Sequence, residues 1–500
     1  MAAGLDNLRR GGPFQNLATE IDLASAALDE QKLQDILGEC DRQLENASGV
    51  SRPTLLYFKA NCFAALGAAK YDEEYAWSWS QDCAIGELLA LRSAIVEDSF
   101  DDLGVERKYQ IRTNLGNLFN SLGRCSEAIE NWNTALQYLP GGAMAKGNKG
   151  YCLSNYGSSL YDPGHAGIFF LESQRVLQEA LSTSAFWDSG EDERAKTHFS
   201  HILEWVTTTL MNSGVSSRYD PHTPTLSGNQ DQQDYHHWCL SNHLFLNPLN
   251  DVMTSSLAAA DLLHLPNHTY KVDEPAHFPI YFNQLKQEYV SARYRLYSSQ
   301  LIGQPNHADA EVLLMDNFDG AGFGHQQDDL KRAFLGAHSI FDKIAVFLND
   351  YFCIGMNPKH IHFRNVWETI EKGGVKKLRP AFEENRNWLL RGLYYMSKDF
   401  FEGDFQEIAL PEAKEFSECR NHLEHSYLVL TDFDPEPVAI NHIRYMHEQT
   451  FAKKTRRLLK MSRAALIYLS LAMRREEQLR EESENSSIKV KLQSRRLNRQ

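Results

Sequence analysis

Apolar positions along this chain recur at spacings of three and four. Between Leu17 and Leu44 they fall at Ile21, Leu23, Ala27 and Leu28, then at Leu33, Ile36 and Leu37, which predicts two helices. From Thr54 the same period runs through Leu56, Tyr57, Ala60 and Phe63, closes at Gly67, and resumes through Trp77, Ile85, Leu88 and Leu91. Residues 165–181 and 195–211 predict further helices. A polar break follows at 213–234, rich in Gly, Pro, Ser, Asn and Gln. Beyond it stand two clear stripes, Phe282-Leu285-Tyr289-Ala292-Leu296 and Leu330-Phe334-His338-Phe341-Ala345-Leu348. Segments 366–372, 388–399, 411–430 and 454–477 continue the helical pattern. Strand-like alternation is missing, so the expected fold is all-α.

One stretch carries a repeat. Leu115, Gly116, Phe119, Gly123, Ala128, Trp132, Ala135 and Pro140 occupy positions 7, 8, 11, 15, 20, 24, 27 and 32 of a 34-residue unit starting at Tyr109, the tetratricopeptide spacing. Small Gly116 and Ala128 let two antiparallel helices approach, Leu115, Phe119 and Trp132 fill the space between them, and Pro140 ends the second. Gly150, Leu153 and Gly157 repeat part of the pattern one period later. A lone repeat cannot bury its own face, so a short helical solenoid is expected. The organisation that follows is a tetratricopeptide-like helical region at 1–212, a linker and aromatic clamp at 213–274, a helical bundle at 275–478 and a basic tail at 479–500. The clamp is the segment Tyr235 to Asp251, too aromatic for a free linker, with an Asn247-Pro248 turn.

Composition narrows the partners. An apolar share of 42% supports real cores, and a mean hydropathy of -0.46 suits a soluble chain. A run of about 18 apolar residues is missing, so no membrane-spanning helix is expected. The first residues lack the basic-then-apolar order of a secretory leader, and the eight cysteines include no Cys-x-x-Cys, which together suit reduced thiols in the cytoplasm. Net charge is -15. Residues 451–500 hold 14 Lys and Arg against 5 Glu, a net of +9, which leaves -24 for the rest. An acidic body with a basic end excludes a general nucleic-acid coating protein, but not contact with RNA at one place.

The candidate chemistry sits at Arg420-Asn421-His422-Leu423-Glu424-His425. On a helix running to Leu430 at about 100° per residue, Phe416, Cys419, Leu423, Tyr427 and Leu430 form the core stripe. Asn421 and His425 then share the opposite face, flanked by Leu428 and Val429, and Arg420 reaches that face from between. An outward His bracketed by apolar residues suits a face that packs on a second copy of the same helix. Two other Arg-to-His spacings, Arg194 to His201 and Arg332 to His338, have Ala directly after the Arg and receive no role.

An Arg-Asn-x-x-x-His motif late in an α-helical bundle resembles the HEPN superfamily. The tetratricopeptide-like front, the Trp238-Cys239-Leu240-x-Asn242-x-Leu244-Phe245-Leu246-Asn247-Pro248-Leu249-Asn250-Asp251 segment and the terminal bundle together resemble a bacterial toxin or defence subfamily. The resemblance implies a homodimer and a metal-independent endoribonuclease with Arg420, Asn421 and His425 as the catalytic set, RNA (tRNA among the candidates) as substrate, and roles in toxin or anti-phage systems. A protein partner or antidote would engage the repeat region, and no cofactor or metal is implied. His can move a proton at neutral pH and Arg can stabilise charge on a phosphorane.

Blander readings compete. Arg420 and Glu424 at i, i+4 form a surface ion pair, and the protein is then a non-catalytic scaffold that dimerises through its bundle and binds a partner through its solenoid. His360 and His362, and His236, His237 and His243 near Cys239, match no closed metal site. The basic residues Lys453, Lys454, Arg456, Arg457 and Lys460 suit either RNA phosphates or a solvated helix face.

Overall fold

Helices account for nearly all of the regular structure. The computed structural model describes residues 14–490 except 73, 74, 76, 188–191, 215–225, 227, 271–275, 302–305, 316–319, 372–375, 402–408, 435–441 and 484–487. Much of the polar break after Ser213 and the tail from residue 491 therefore lie outside the described residues. The chain divides into two units. One comprises Met1–Lys149, Val176–Ser200 and Gly403–Ala413; the other comprises Gly150–Arg175, His201–Glu402 and Lys414–Gln500.

The first unit is built mainly from α1 (Gln15–Ala27), α2 (Glu30–Leu44), α3 (Ser51–Ala69), α4 (Asp82–Val96), α5 (Val105–Ser121) and α6 (Cys125–Tyr138). Each helix packs on its successor, most extensively α3 on α4 and α5 on α6. The α5–α6 hairpin shows why the small residues were needed. A Cβ at Gly116 would stand 2.6 Å from Trp132 Nε1, so only glycine admits the indole there. Trp132 is fully buried and donates its Nε1–H to Asn117 Oδ1 at 3.0 Å. Leu115, Phe119 and Ala128 are buried beside it. The region is helical and repeat-like. Helices α7 (Ala143–Ser159), α8 (Pro163–Ala180) and α9 (Asp192–Ser213) follow, the last two close to the ranges that the periodicity predicts.

The second unit adds α10 (Gln230–Ser241), β1 (His268–Tyr270), α11 (Phe278–Ser298), β2 (Ala321–Gly322), α12 (His325–Tyr351), β3 (Glu368–Ile370), β4 (Lys376–Leu378), α13 (Trp388–Ser397), α14 (Ala413–His425), β5 (Tyr427–Thr431), β6 (Ile443–His447), α15 (Glu448–Ser483) and β7 (Ile488–Val490). Helices α11, α12 and α13 pack around α15. Every residue of α15 from Ala464 to Met473 is buried. The middle of the helix is therefore enclosed on all sides, as a stretch apolar nearly all round must be. Several of its basic residues are drawn in as well: Lys454 is partly buried and pairs with Glu415 at 2.8 Å, and only Lys453 of the five stands exposed.

The aromatic segment is fastened by two buried arginines. Arg463 of α15 donates to the carbonyls of Phe245 at 2.6 Å and Asn247 at 2.8 Å, and pairs with Asp251 at 2.5 Å. Arg293 of α11 donates to Leu244 O at 2.9 Å and pairs with Asp261 at 2.8 Å. Tyr289 adds its hydroxyl to the same Leu244 carbonyl at 2.8 Å. Asn247 caps the 3-10 turn Pro248–Asp251 by accepting from Leu249 N at 3.0 Å. Two guanidinium groups thus satisfy backbone carbonyls that an irregular buried segment would otherwise leave unpaired.

Three small sheets interrupt the helical pattern: β1 with β7, β3 with β4, and β2-β5-β6, in which β5 runs parallel to β6 and antiparallel to β2. The last two correct the sequence reading, for the helix predicted at 366–372 contains strand β3. The predicted helix at 411–430 ends at His425, and Tyr427–Thr431 is a strand. Leu428, Val429 and Leu430 are buried between two neighbouring strands, while Tyr427 is 68% exposed. A short, continuous apolar run reads alike as a buried helix or a central strand, and periodicity cannot separate them. Leu428 and Val429 consequently do not flank His425 on a helix face.

Candidate active site on helix α14

Helix α14 is held by its buried side. Ala413, Phe416 and Cys419, at helical spacing, are the residues it buries. Phe416 stacks on Phe334 of α12 with ring centroids 6.0 Å apart and planes 12° apart, and Phe334 in turn meets Phe451 of α15 at 5.2 Å. Glu415 pairs with Lys454 and with Arg444 at 3.5 Å, and Glu418 pairs closely with Arg444 of β6. At the far end Ser426 turns the chain into β5, its hydroxyl donating to His442 O at 2.5 Å. The motif therefore lies on the last turn and a half of a helix pinned at both ends.

The structure separates the three predicted residues into two environments. Asn421 and His425 are exposed, one turn apart on the same face, and His425 retains 75% of its side-chain surface. That part of the helix-face reading stands without the apolar flank. Arg420 is only 36% exposed and is turned toward Glu424, whose Oε2 lies 2.9 Å from its Nε, although the N–H does not aim along that contact. The same Glu424 oxygen is 3.7 Å from His425 Nε2. One carboxylate oxygen thus stands between the guanidinium and the imidazole.

A residue given no role in the sequence enters here. One turn after the Phe334–Phe416 stack, α12 presents His338 and α14 presents Arg420; one turn further come Asp342 and Glu424. Burial holds the His338 imidazole below its usual range. Asp342 opposes this, Arg420 reinforces it, and Glu424 opposes it, so the four side chains share one electrostatic neighbourhood. Phe400 closes edge-on over His338 at 5.6 Å and 90°. Asp342 is anchored by Phe363 N at 3.0 Å and faces His362 Nδ1 at 3.8 Å. His338 could not be found from its spacing to Arg332, which pairs outward with Asp328 at 2.5 Å. The usable signal was its place within an otherwise apolar stripe.

Chemically the arrangement offers an exposed imidazole and amide, a half-buried guanidinium, and a carboxylate able to bind either cation. No curated protein and no solved structure matches the chain. The family model described as LA2681-like HEPN matches residues 269–476, which takes in α11, α12, α13, the whole of α14 and most of α15. The segment that carries Arg420, Asn421 and His425 is thus part of a C-terminal HEPN domain.

Proposed function

We propose that this chain is a metal-independent endoribonuclease of HEPN type, acting as a homodimer in which two copies of α14 face one another. The observation that carries the reading is His425, exposed at the end of α14 beside Asn421 and within one carboxylate of Arg420. In this chemistry a ribose 2′-oxygen attacks the adjacent phosphorus and the bond to the 5′-oxygen breaks. His425 takes the 2′-OH proton or delivers one to the departing 5′-oxygen. Arg420 stabilises the added negative charge on the phosphorane, and Asn421 hydrogen-bonds a phosphate oxygen or orients His425. The products are a 2′,3′-cyclic phosphate and a 5′-hydroxyl. One imidazole serves one proton transfer well; the partner copy would supply the second.

The repeat-like first unit fits a sensor or partner-binding role. Within that unit the buried Arg92 donates to Ala409 O at 2.7 Å, four residues before α14 begins, so strain in those helices has a short covalent route to the motif. Among the described residues no helix is long and apolar enough to cross a membrane, and a cytoplasmic site of action suits the reduced cysteines.

The deciding experiment is cleavage of total RNA and purified tRNA in EDTA by wild type, Arg420→Ala and His425→Ala. Cleavage by wild type alone, leaving cyclic phosphate ends, is the expected result; equal cleavage by His425→Ala would sink the assignment. The Arg420–Glu424 pair favours one rival, a non-catalytic scaffold in which the motif is a helix-surface ion pair. It predicts a stable protein complex and no cleavage with any RNA.

A further inference from the structure

An acidic chain that handles RNA needs a local place for phosphates, and the motif helix itself supplies one arginine. A cavity of about 270 Å³ in the second unit has a different character. Arg386, Arg474 and Arg475 all line it, together with Trp388 and Ser159, and none of its described lining residues is acidic. Arg474 is fixed by donating from Nη1 to Ser159 O at 2.9 Å. Arg475 and Arg386 are exposed, and Arg475 has neither hydrogen bond nor ion pair among the described residues.

Two neighbouring carboxylates on the same helix turn elsewhere. Glu476 turns into the core, where its Oε1 accepts from the amides of Asn385 at 3.0 Å and Asn387 at 2.8 Å. Glu477 accepts from the Tyr351 hydroxyl at 2.7 Å. Consecutive residues on α15 thus send two arginines to the cavity and two glutamates away from it. Trp388 opens α13, so its partly exposed indole and the first turn of a helix meet the same space.

We propose that this cavity docks the RNA strand, with phosphates on Arg386, Arg474 and Arg475 and a base stacked on Trp388. Three guanidiniums match phosphate oxygens, and an aromatic ring accepts any base by its π-face, which is the usual pairing for sequence-tolerant single-strand binding. The site is separate from the motif. Lys454, which pairs with Glu415 of α14, lies twenty residues before Arg474 on the same helix, about 30 Å at 1.5 Å per residue. It also draws on Ser159, outside the 269–476 match.

The proposal rests on the ribonuclease reading and is tested by binding rather than cleavage. The full chain is titrated into a labelled single-stranded 2′-O-methyl RNA, which cannot be cut, and anisotropy is followed across salt concentrations. Wild type, Arg475→Glu, Arg386→Glu/Arg475→Glu and His425→Ala are compared, with circular dichroism to confirm folding. The double variant is expected to bind at least ~10-fold more weakly, with the slope of log K against log salt reduced by about 0.7 per lost phosphate contact, while His425→Ala binds as wild type. Trp388→Leu should lower affinity and leave the slope unchanged. Wild-type affinity and slope in the double variant would overturn the proposal, as would full displacement of the RNA by micromolar ATP, which would mark a free-nucleotide site. Arg-dependent binding without any cleavage would remove the ribonuclease reading alone. Cleavage with binding indifferent to these arginines would remove this one alone.

Discussion

Glu424 Oε2 lies 2.9 Å from Arg420 Nε, one helical turn along α14, where a scissile phosphate would also have to bind. On the proposed ribonuclease reading, the carboxylate competes with RNA for the guanidinium. Exposed i, i+4 pairs stabilise a helix by only about 0.3–0.5 kcal/mol, so releasing it costs little. Glu424→Gln is expected to shift the melting temperature by less than about 2 °C and to tighten binding of uncleavable RNA several-fold. Thermal melts and anisotropy check both. Weaker RNA binding in this variant would mean that Glu424 positions Arg420 rather than masking it.

The fastening of the aromatic segment makes a harder demand on stability. Arg463 and Asp251 are each about 95% buried, and Arg463 also holds two backbone carbonyls. Removing one member leaves a buried charge without compensation, which costs about 3–5 kcal/mol. Arg463→Met should lose that much in urea unfolding. Asp251→Asn should lose less, because an amide oxygen can still accept from the guanidinium. Equal, small losses in both would show that neither the ion pair nor the carbonyl contacts of Arg463 hold the segment.

Much of this was legible because helices announce themselves by period. The Phe282–Leu296 and Leu330–Leu348 stripes became the buried sides of α11 and α12, and the close approach at Gly116 was readable from residue size. What failed has two causes. Tyr427–Thr431 is five residues long and buried, so no periodicity distinguishes strand from helix there, and its partner β6 is a separate segment. His338 was hidden for another reason. It shares its environment with Arg420 only because α12 and α14 meet at Phe334 and Phe416, a tertiary fact that no spacing encodes.

His338 yields a test of that neighbourhood. Burial, reinforced by Arg420, holds its imidazole below the usual value near 6.5, while Asp342 and Glu424 act the other way. The folded state therefore binds fewer protons than the unfolded chain just below pH 6.5. The stabilisation is complete above that pH and is lost as pH falls through the depressed folded value. His338→Gln, which cannot protonate, should flatten this acid-side decline in melting temperature. On the proposed ribonuclease reading it should also lower kcat and leave KM nearly unchanged, because His338 shares the electrostatic neighbourhood of Arg420. An unaltered pH profile would remove His338 from the site.

Glu87 tests the opposite sign in the first unit. Glu87 is partly covered on α4, and the resulting desolvation pushes its carboxyl up to about 8, against an ordinary value of 4.5, so it is mostly protonated at neutral pH. Between those two values the folded state holds a proton that the unfolded chain releases. Stability must then fall as pH rises from about 4.5 to 8 and level off above. Glu87→Gln keeps the shape and removes the titration. It is expected to raise the melting temperature at pH 8, to change it little at pH 4.5, and to flatten the profile between. If wild type and variant melt in parallel from pH 4.5 to 8, Glu87 titrates as an ordinary surface carboxylate and its burial carries no energetic weight.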